Sequence, residues 1–245
     1  MRFALTLFAV GIAAIGASAA EPKDVIELAI KAHGGKDALA KAKVYTQKVA
    51  GTMTAYGTEL EFAGDVACAL PDRYRLSLSI SQPGTKLLVT QTVNAGKVKS
   101  VVDGKARPLP EGQKKELLQQ VALNEISLLL ALKDETKYTL KSGTDAKVGE
   151  IEAAAVVVSG KDIADVTLLF DKKTSQLVQT KRSAIGPDDK PADEETTLSE
   201  FKKFDGVLLP TKLVVTRGGK KFMTATVSDF KWLDKADDKT FAVDD

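Results

Sequence analysis

Apolar side chains recur at helical spacing near the beginning of the sequence and at a period of two along most of the remainder. Residues 22–33 place apolar side chains three and four positions apart, and Gly34 and Gly35 follow as a stop for a helix. A shorter helix is predicted over residues 36–42. From residue 44 onward the period of two predicts strands, because alternate side chains of a strand point to opposite faces.

The clearest strand pattern is the segment in which Tyr74, Leu76, Leu78 and Ile80 share one face and polar side chains share the other. Turn signals rich in Gly, Pro, Asn and Asp separate the runs, and short turns join antiparallel neighbours. Strands are predicted over residues 44–53, 58–70, 73–81, 85–93, 138–141, 151–159, 165–171, 177–184, 195–204, 208–217 and 221–232. The pattern therefore predicts one antiparallel sheet of about ten strands, which must curl as its twist accumulates.

A long helix is predicted over residues 111–133, amphipathic in its first half and apolar on nearly all sides in its second. A helix that is apolar all round needs cover on all sides. Together with the N-terminal helix it is expected to cover the concave side of the sheet. The prediction is an α+β fold, mainly antiparallel β, in which residues 21–245 form one strongly curved, half-open barrel.

Two segments near the end of the sequence lack a regular pattern. Residues 187–195 are rich in acids and are predicted to form a polar loop. Their spacing does not fit an EF-hand, so an acidic loop is favoured over a calcium site. Residues 231–245 are predicted to form a coil that packs Trp232 and Phe241 onto the body of the domain.

The first residues of the chain have the features of a secretory signal. A basic residue precedes the apolar stretch over residues 3–15, and a small-x-small site ends at Ala19. Cleavage is predicted before Ala20 or before Glu21. We interpret residues 1–20 as a signal peptide that exports the chain, with the periplasm as the expected destination; a buried N-terminal helix is the alternative.

Composition and motifs disfavour most covalent chemistry. The 35 basic and 33 acidic side chains nearly balance, which argues against a nucleic-acid partner. The lone His33 is interpreted as a helix-cap residue whose charge suits the helix dipole, and the lone Cys68 as a buried apolar residue. No nucleophile, phosphate-binding or metal motif is found, so we predict no catalytic residue, metal or cofactor. Glu59 and Glu61 could form a carboxylate pair, but a solvated strand face is favoured.

Three short segments resemble a known superfamily. They are residues 32–39 (AHGGKDAL), residues 204–211 (FDGVLLPT) and residues 237–241 (DDKTF). In this arrangement the chain resembles the periplasmic lipoprotein-carrier superfamily with the LolA/LolB-like fold, and in particular its lipoprotein-sorting-protein-like members. The resemblance implies a curved antiparallel sheet around a hydrophobic cavity, with helices as a lid. It also implies a role in shielding acyl chains, but no functional residue of the family can be matched here.

These observations favour an exported, non-enzymatic carrier or binding protein that holds a lipid or a lipoprotein acyl group in an apolar cavity. Expected partners are a hydrophobic ligand and an envelope protein. The predicted cavity-lining residues are Leu76, Leu78, Ile80, Leu168 and Phe170 on the sheet, with Leu128, Leu129 and Leu132 on the helical lid. The alternatives are an envelope interaction or structural module with a filled core, and a hydrolase that uses carboxylates. A dry cavity in the structure would favour the ligand-binding function, and a packed interior would favour the interaction or structural module.

Overall fold

The computed structural model describes residues 21–55, 57–82, 84–161, 163–186 and 190–243. The predicted signal peptide, residues 1–20, lies outside the described residues. The helices are α1 (Pro22–Ala32), α2 (Lys36–Lys41) and α3 (Glu111–Ser127), with 3₁₀ turns at Leu130–Lys133 and Asp238–Phe241. The strands are β1 (Val44–Ala55), β2 (Thr58–Ala69), β3 (Arg73–Gln82), β4 (Thr85–Asn94), β5 (Lys97–Val102), β6 (Lys105–Ala106), β7 (Tyr138–Ser142), β8 (Ala146–Val148), β9 (Ile151–Gly160), β10 (Val166–Asp171), β11 (Leu177–Ile185), β12 (Pro191–Phe204), β13 (Val207–Arg217) and β14 (Lys220–Trp232).

Within the described ranges, the strands form one curled antiparallel sheet that does not close. Its order is β6-β5-β4-β3-β2-β1-β14-β13-β12-β11-β10-β9-β7, and β8 also pairs with β9. Strands β1–β6 follow one another along the chain as one meander, and β9–β14 form a second. The two meanders meet where β1 pairs with β14, for example at Met53 opposite Met223. In the described part of the chain, β6 forms one edge, and β7 and β8 form the other because each pairs only with β9.

The sheet has 14 strands in the described part of the chain, so the predicted count of about ten is wrong. The additional strands are β5, β6 and β8, which have six, two and three residues. Such short strands contain too few alternating positions to show a period of two. The predicted antiparallel, curved architecture is confirmed at the level of the whole sheet.

The two N-terminal helices lie close to their predicted positions. Pro22 stands in the first turn of α1, where its missing N–H costs nothing, and His33 is the C-cap. The buried face of α1 consists of Val25, Ile26, Ala29 and Ile30. After the two glycines that follow α1, the helix α2 buries Leu39.

The predicted helix over residues 111–133 breaks near its end. α3 stops at Ser127, and a 3₁₀ turn, Leu130–Lys133, follows. Leu129 separates them with a left-handed φ of 65°, a strained conformation for a leucine. Leu128, Leu129 and Leu132 are all buried at this break and belong to one core cluster.

Part of the predicted polar loop is strand. β12 begins at Pro191, so residues 191–195 belong to the sheet, whereas residues 187–189 lie outside the described residues. Cross-strand charge pairing accounts for the difference. Glu194 lies opposite Arg182, and Glu195 lies opposite Lys181. Opposite charges at facing positions stabilise strand pairing, so this acidic run is compatible with a sheet.

The C-terminal segment returns to the sheet as predicted. Phe241 is buried, and its carbonyl accepts a hydrogen bond from Asn94 Nδ2 at 3.0 Å. Arg73 of β3 donates to Asp238 at 2.8 Å, and its guanidinium lies 5.4 Å from the centre of the Phe241 ring. Trp232 donates from Nε1 to the carbonyl of Phe204 at 3.0 Å. No helix within the described ranges has the length and apolar character needed to cross a membrane.

Candidate ligand-binding site

The concave face of the sheet is covered by helices over only part of its area. Beneath α1 and the Leu130–Lys133 turn, buried side chains from β7, β9, β10 and β11 pack with helical residues into one cluster, which we call the covered core. A second cluster contains strand residues alone, which we call the open patch. Its members are Val49, Met53, Phe62, Leu76, Leu78, Ile80, Leu213, Met223 and Ala225.

Strand register shows that the open patch is continuous across the sheet. Phe62 pairs with Ile80 on β3, and Leu213 pairs with Ala225 on β14. Paired residues have side chains on the same face. The buried members are Phe62, Leu78 and Ala225, and the other six are half-buried. Val49 and Leu76 also border a cluster that contains Leu117 and Val121 of α3, whereas the other half-buried members group with strand residues alone. Further apolar burial would stabilise such a surface.

The predicted cavity-lining residues divide between these two regions. Leu76, Leu78 and Ile80 belong to the open patch. The remaining five belong to the covered core: Leu128, Leu129, Leu132, Leu168 and Phe170. In the covered core these five side chains contact the protein's own residues, as a packed interior does. The role of all eight as ligand contacts stays a prediction.

Two grooves lie away from the predicted residues. The larger, of about 410 Å³, lies among the β8–β9 turn and strands β11 and β12, with Lys147, Ile151 and Glu195 among its lining residues. The smaller, of about 250 Å³, is bounded by β5 and the segment that leads into α3, including Pro108 and Leu109. Neither is lined by any of the eight predicted residues.

A buried charged network lies beside the open patch. Arg182 of β11 contacts the carboxylates of Glu116 on α3 and Glu194 on β12, the latter at 2.8 Å. Arg217 of β13 donates from Nε to the second oxygen of Glu194 at 2.8 Å. Glu116 also accepts the backbone N–H of Ile185 at 2.9 Å. The network therefore joins α3 to three adjacent strands.

Arg182 is the most enclosed charge of this network. Its side chain is 5% exposed, and its Nη1 atom is buried without a hydrogen-bond partner among the described residues. Burial alone would lower the pKa of Arg182, but the hydrogen bond to Glu116 and the charge of Glu194 raise it above its usual value. The side chain is therefore a permanent buried cation whose Nη1 group donates no hydrogen bond to the described residues.

The strand register connects this network to the open patch. Val215 pairs with Met223, and Arg217 follows two positions later on the same face of β13. Arg182, Glu194 and Arg217 are themselves opposite one another across β11, β12 and β13. Charged groups and half-buried apolar groups thus border each other on the concave face, an arrangement that suits an amphipathic molecule.

His33 fastens the end of α1 to the sheet. Its Nδ1 lies 2.8 Å from the carbonyl oxygen of Leu208, and its Nε2 lies 3.1 Å from the backbone nitrogen of Leu177. A ring that donates from Nδ1 and accepts at Nε2 satisfies both contacts and is neutral. Burial lowers the pKa of His33, and the hydrogen bond to Leu208 opposes this only in part. The predicted cap position is confirmed, but the predicted charge is wrong, because the site selects the neutral ring.

The other side chains considered for chemistry, Cys68, Glu59 and Glu61, lie in surroundings typical of structural residues. Cys68 is buried as predicted, and burial raises the pKa of its thiol to about 12, so it is protonated at neutral pH. Glu59 and Glu61 are exposed on the sheet, as a solvated strand face requires. Among the residues that the structure describes, no group of three His, Cys, Asp or Glu side chains is placed to hold a metal ion.

The curled sheet with helices across its concave face is a half-barrel of the LolA-type fold. A LolA superfamily protein from Nitrosomonas europaea superposes with a TM-score of 0.59 at 13% identity, covering 91% of this chain and 98% of its own. A DUF1329 family protein from Desulfovibrio piger gives 0.55 at 15% identity, covering 91% and 97%. A domain named for outer-membrane lipoprotein sorting, from Vibrio parahaemolyticus, gives 0.54 at 10% identity, covering 90% and 97%.

At these identities the similarity shows a shared fold, and the predicted resemblance to the LolA/LolB-like fold is confirmed in that sense. The similarity covers nearly the whole length of each solved structure, so the entire half-barrel is shared. No family model matches the sequence. No curated protein matches it either.

Proposed function

We propose that this protein is a periplasmic binding or carrier protein that holds the acyl chain of a lipid or lipoprotein on the open patch, without covalent chemistry. The observation that carries the proposal is a set of half-buried apolar side chains on the concave face; among the described residues, Met53, Ile80, Leu213 and Met223 of this set group only with strand residues. The similarity to a domain named for outer-membrane lipoprotein sorting supports the class of cargo.

The energetics of acyl burial fit this surface. Each methylene group that leaves water for an apolar surface contributes about 0.8 kcal/mol. A chain of several methylenes on the patch would therefore offset the entropy lost on binding. Met53 and Met223 are paired at the β1–β14 junction, and the unbranched thioether side chain adapts its shape to irregular apolar partners.

A second candidate function is an envelope interaction module that holds no lipid. The packing of the covered core favours it, because five of the predicted cavity residues already contact the protein's own side chains. In this alternative the open patch would contact a protein partner. The two functions differ in what the isolated protein binds.

The first experiment measures binding of phenylnaphthylamine, an uncharged fluorophore that brightens in apolar surroundings. Met53→Gln combined with Met223→Gln places two amides on the open patch, and we expect affinity to fall by about tenfold. The matched control is Leu88→Gln on β4, a residue 49% exposed whose partner Ser79 lies on the opposite face from Leu78. We expect this control to change affinity by less than about twofold.

Absence of fluorophore binding to the wild-type protein would contradict the proposal. Equal losses in the patch variant and the Leu88→Gln control would place binding elsewhere. Native mass spectrometry of protein purified gently from its own cell envelope supplies an independent readout, in which we expect a co-purified mass that organic extraction removes. Repeated absence of that mass, together with no fluorophore binding, would favour the interaction module.

A further inference from the structure

Two hydrogen-bond donors near the end of β11 meet one carboxylate of α3. Nη2 of Arg182 and the backbone N–H of Ile185 both donate to the carboxylate of Glu116, one to each oxygen. Nη1 of the same guanidinium is buried and has no partner among the described residues. A guanidinium beside a backbone N–H is a geometry that recognises the two oxygens of a carboxylate. Glu116 fills this site from a different element, α3.

The charges of the network show which net charge must be compensated if the Glu116 carboxylate leaves the site. Arg182 and Arg217 carry two positive charges, and Glu194, which contacts both, carries one negative charge. Without Glu116 the strands would retain one uncompensated, buried positive charge. Such a charge is strongly unfavourable unless an anion replaces the lost carboxylate. The site is therefore matched to one singly charged anionic group.

The position of the site indicates which kind of anion can use it. Arg217 is two residues from Val215, which pairs with Met223 of the open patch. Arg182 lies across β12 from Arg217, so a molecule with its apolar chain on the open patch would extend over β13 and β12 to bring its polar end to Arg182. A small free anion would gain the charge contact alone, whereas an amphiphile would gain both the charge contact and apolar burial.

We propose that Arg182 and the Ile185 N–H bind the carboxylate head group of an amphiphile whose chain lies on the open patch, and that Glu116 occupies this head-group site in the unliganded protein. This inference rests on the proposed function, because the chain of the amphiphile uses the same patch. Glu116 acts as an internal competitor for the ligand. When a ligand carboxylate takes its place, α3 loses both of these contacts with β11.

The experiment compares dodecanoate, dodecanol and acetate by calorimetry on the wild-type protein and on Glu116→Gln. Dodecanoate and dodecanol share a chain and differ in head-group charge, and acetate has the charge without the chain. In Glu116→Gln the competing charge is gone while the side chain keeps its size. We expect this variant to bind dodecanoate about tenfold more tightly than wild type, with dodecanol affinity unchanged within about twofold.

Two further variants test the role of the arginine. Arg182→Gln is expected to remove the preference for dodecanoate over dodecanol. If that variant does not fold, Arg182→Lys, which keeps the charge but lacks the guanidinium fork, is expected to reduce the preference. Lys212→Gln is the matched control, because Lys212 forms an exposed ion pair with Glu200 and its loss changes net charge equally. We expect it to leave the preference unchanged. A second readout is the rise in unfolding temperature with dodecanoate, expected to be larger for Glu116→Gln than for wild type.

The outcomes separate this inference from the proposed function. If neither dodecanoate nor dodecanol binds, the proposed function fails and the inference fails with it. If both bind equally and Glu116→Gln changes neither, the patch binds chains but the head-group site is wrong. If acetate binds as tightly as dodecanoate, the site takes a free anion and the amphiphile proposal is overturned.

Discussion

At the scale of single residues, the buried polar side chains explain how the concave face is organised. His33 links the end of α1 to the backbones of β11 and β13 through both ring nitrogens. Arg182 links α3 to β12 through two carboxylates. Each side chain satisfies groups that would otherwise be buried without partners, so its removal should cost more than the hydrogen bonds it makes.

The lone histidine, His33, leads to a specific prediction for how the free energy of unfolding depends on pH. The neutral ring is favoured in the folded protein, because burial lowers the pKa of His33 below its ordinary value of 6.5. The contribution of His33 to the free energy of unfolding is therefore complete above about pH 6.5. It is lost as the pH falls from there towards the pKa of His33 in the folded protein. We expect the free energy of unfolding to fall by up to about 1.4 kcal/mol for each pH unit in that window.

Urea unfolding at about pH 7.5 and at steps down to about pH 5.5 measures this effect. The chain has one histidine, so no other imidazole contributes. In His33→Asn the stability at pH 7.5 should be lower and the decline with acid in this window should be largely absent. An unchanged decline in that variant would assign the pH dependence to other groups.

The sequence indicated only some of these residue roles. The position of His33 before two glycines predicted a helix cap, but the backbone groups it contacts come from residues 177 and 208. The charged network could not be predicted, because Glu194 is one acid in an acidic run and Arg182 one base among many. Their meeting depends on the register of β11 with β12 and on the placement of α3.

At the scale of elements, the pattern of α1 sets its packing. Apolar residues at helical spacing bury one face, and the opposite face stays in water. Long segments with a strong period, such as α1 and β3, were predicted well for this reason. The break at Leu129 was not, since the sequence around it is apolar in every direction and has no Gly or Pro.

Two substitutions in α1 test this packing. Ile26 is 1% exposed in the covered core, whereas Leu28, two positions later, is 53% exposed. Ile26→Ala should lower the free energy of unfolding by about 2–5 kcal/mol, because it leaves a cavity. Leu28→Ala should change it by less than about 0.5 kcal/mol. Denaturant unfolding measures both, and a similar loss in the two variants would show that α1 is not docked on this face.

At the scale of the whole molecule, the curl of the sheet creates the concave face. Accumulated strand twist predicts a curl for any large sheet, so this feature followed from the strand pattern. The sequence did not show where the strands approach most closely. At Gly64 an added Cβ would lie 1.9 Å from the carbonyl oxygen of Ser77 on β3, and at Gly51 it would lie 1.9 Å from that of Thr224 on β14. These glycines permit close strand contact on either side of the β1–β2 pair.

Gly64→Ala is therefore expected to disturb the sheet where it curves. The backbone of β3 would have to move away from β2, and the free energy of unfolding should fall by about 3 kcal/mol. Ala63→Ser is the control, because Ala63 is the neighbouring residue, is exposed, and faces the other way. Thermal unfolding of both variants measures the difference. A Gly64→Ala protein as stable as the control would show that β2 and β3 do not need this close approach.

The two-meander topology also has a consequence for the continuity of the chain. The ladders of β1–β6 form within residues 44–106 and those of β7–β14 within residues 138–232, and β1–β14 is the one ladder that joins the two sets in the described chain. A backbone cut between Arg107 and Pro110 would thus interrupt no strand pair. The two pieces would be complementary fragments, each with its own local hairpins, able to reassemble without a covalent link through the β1–β14 ladder and the contacts of α3 with both sides.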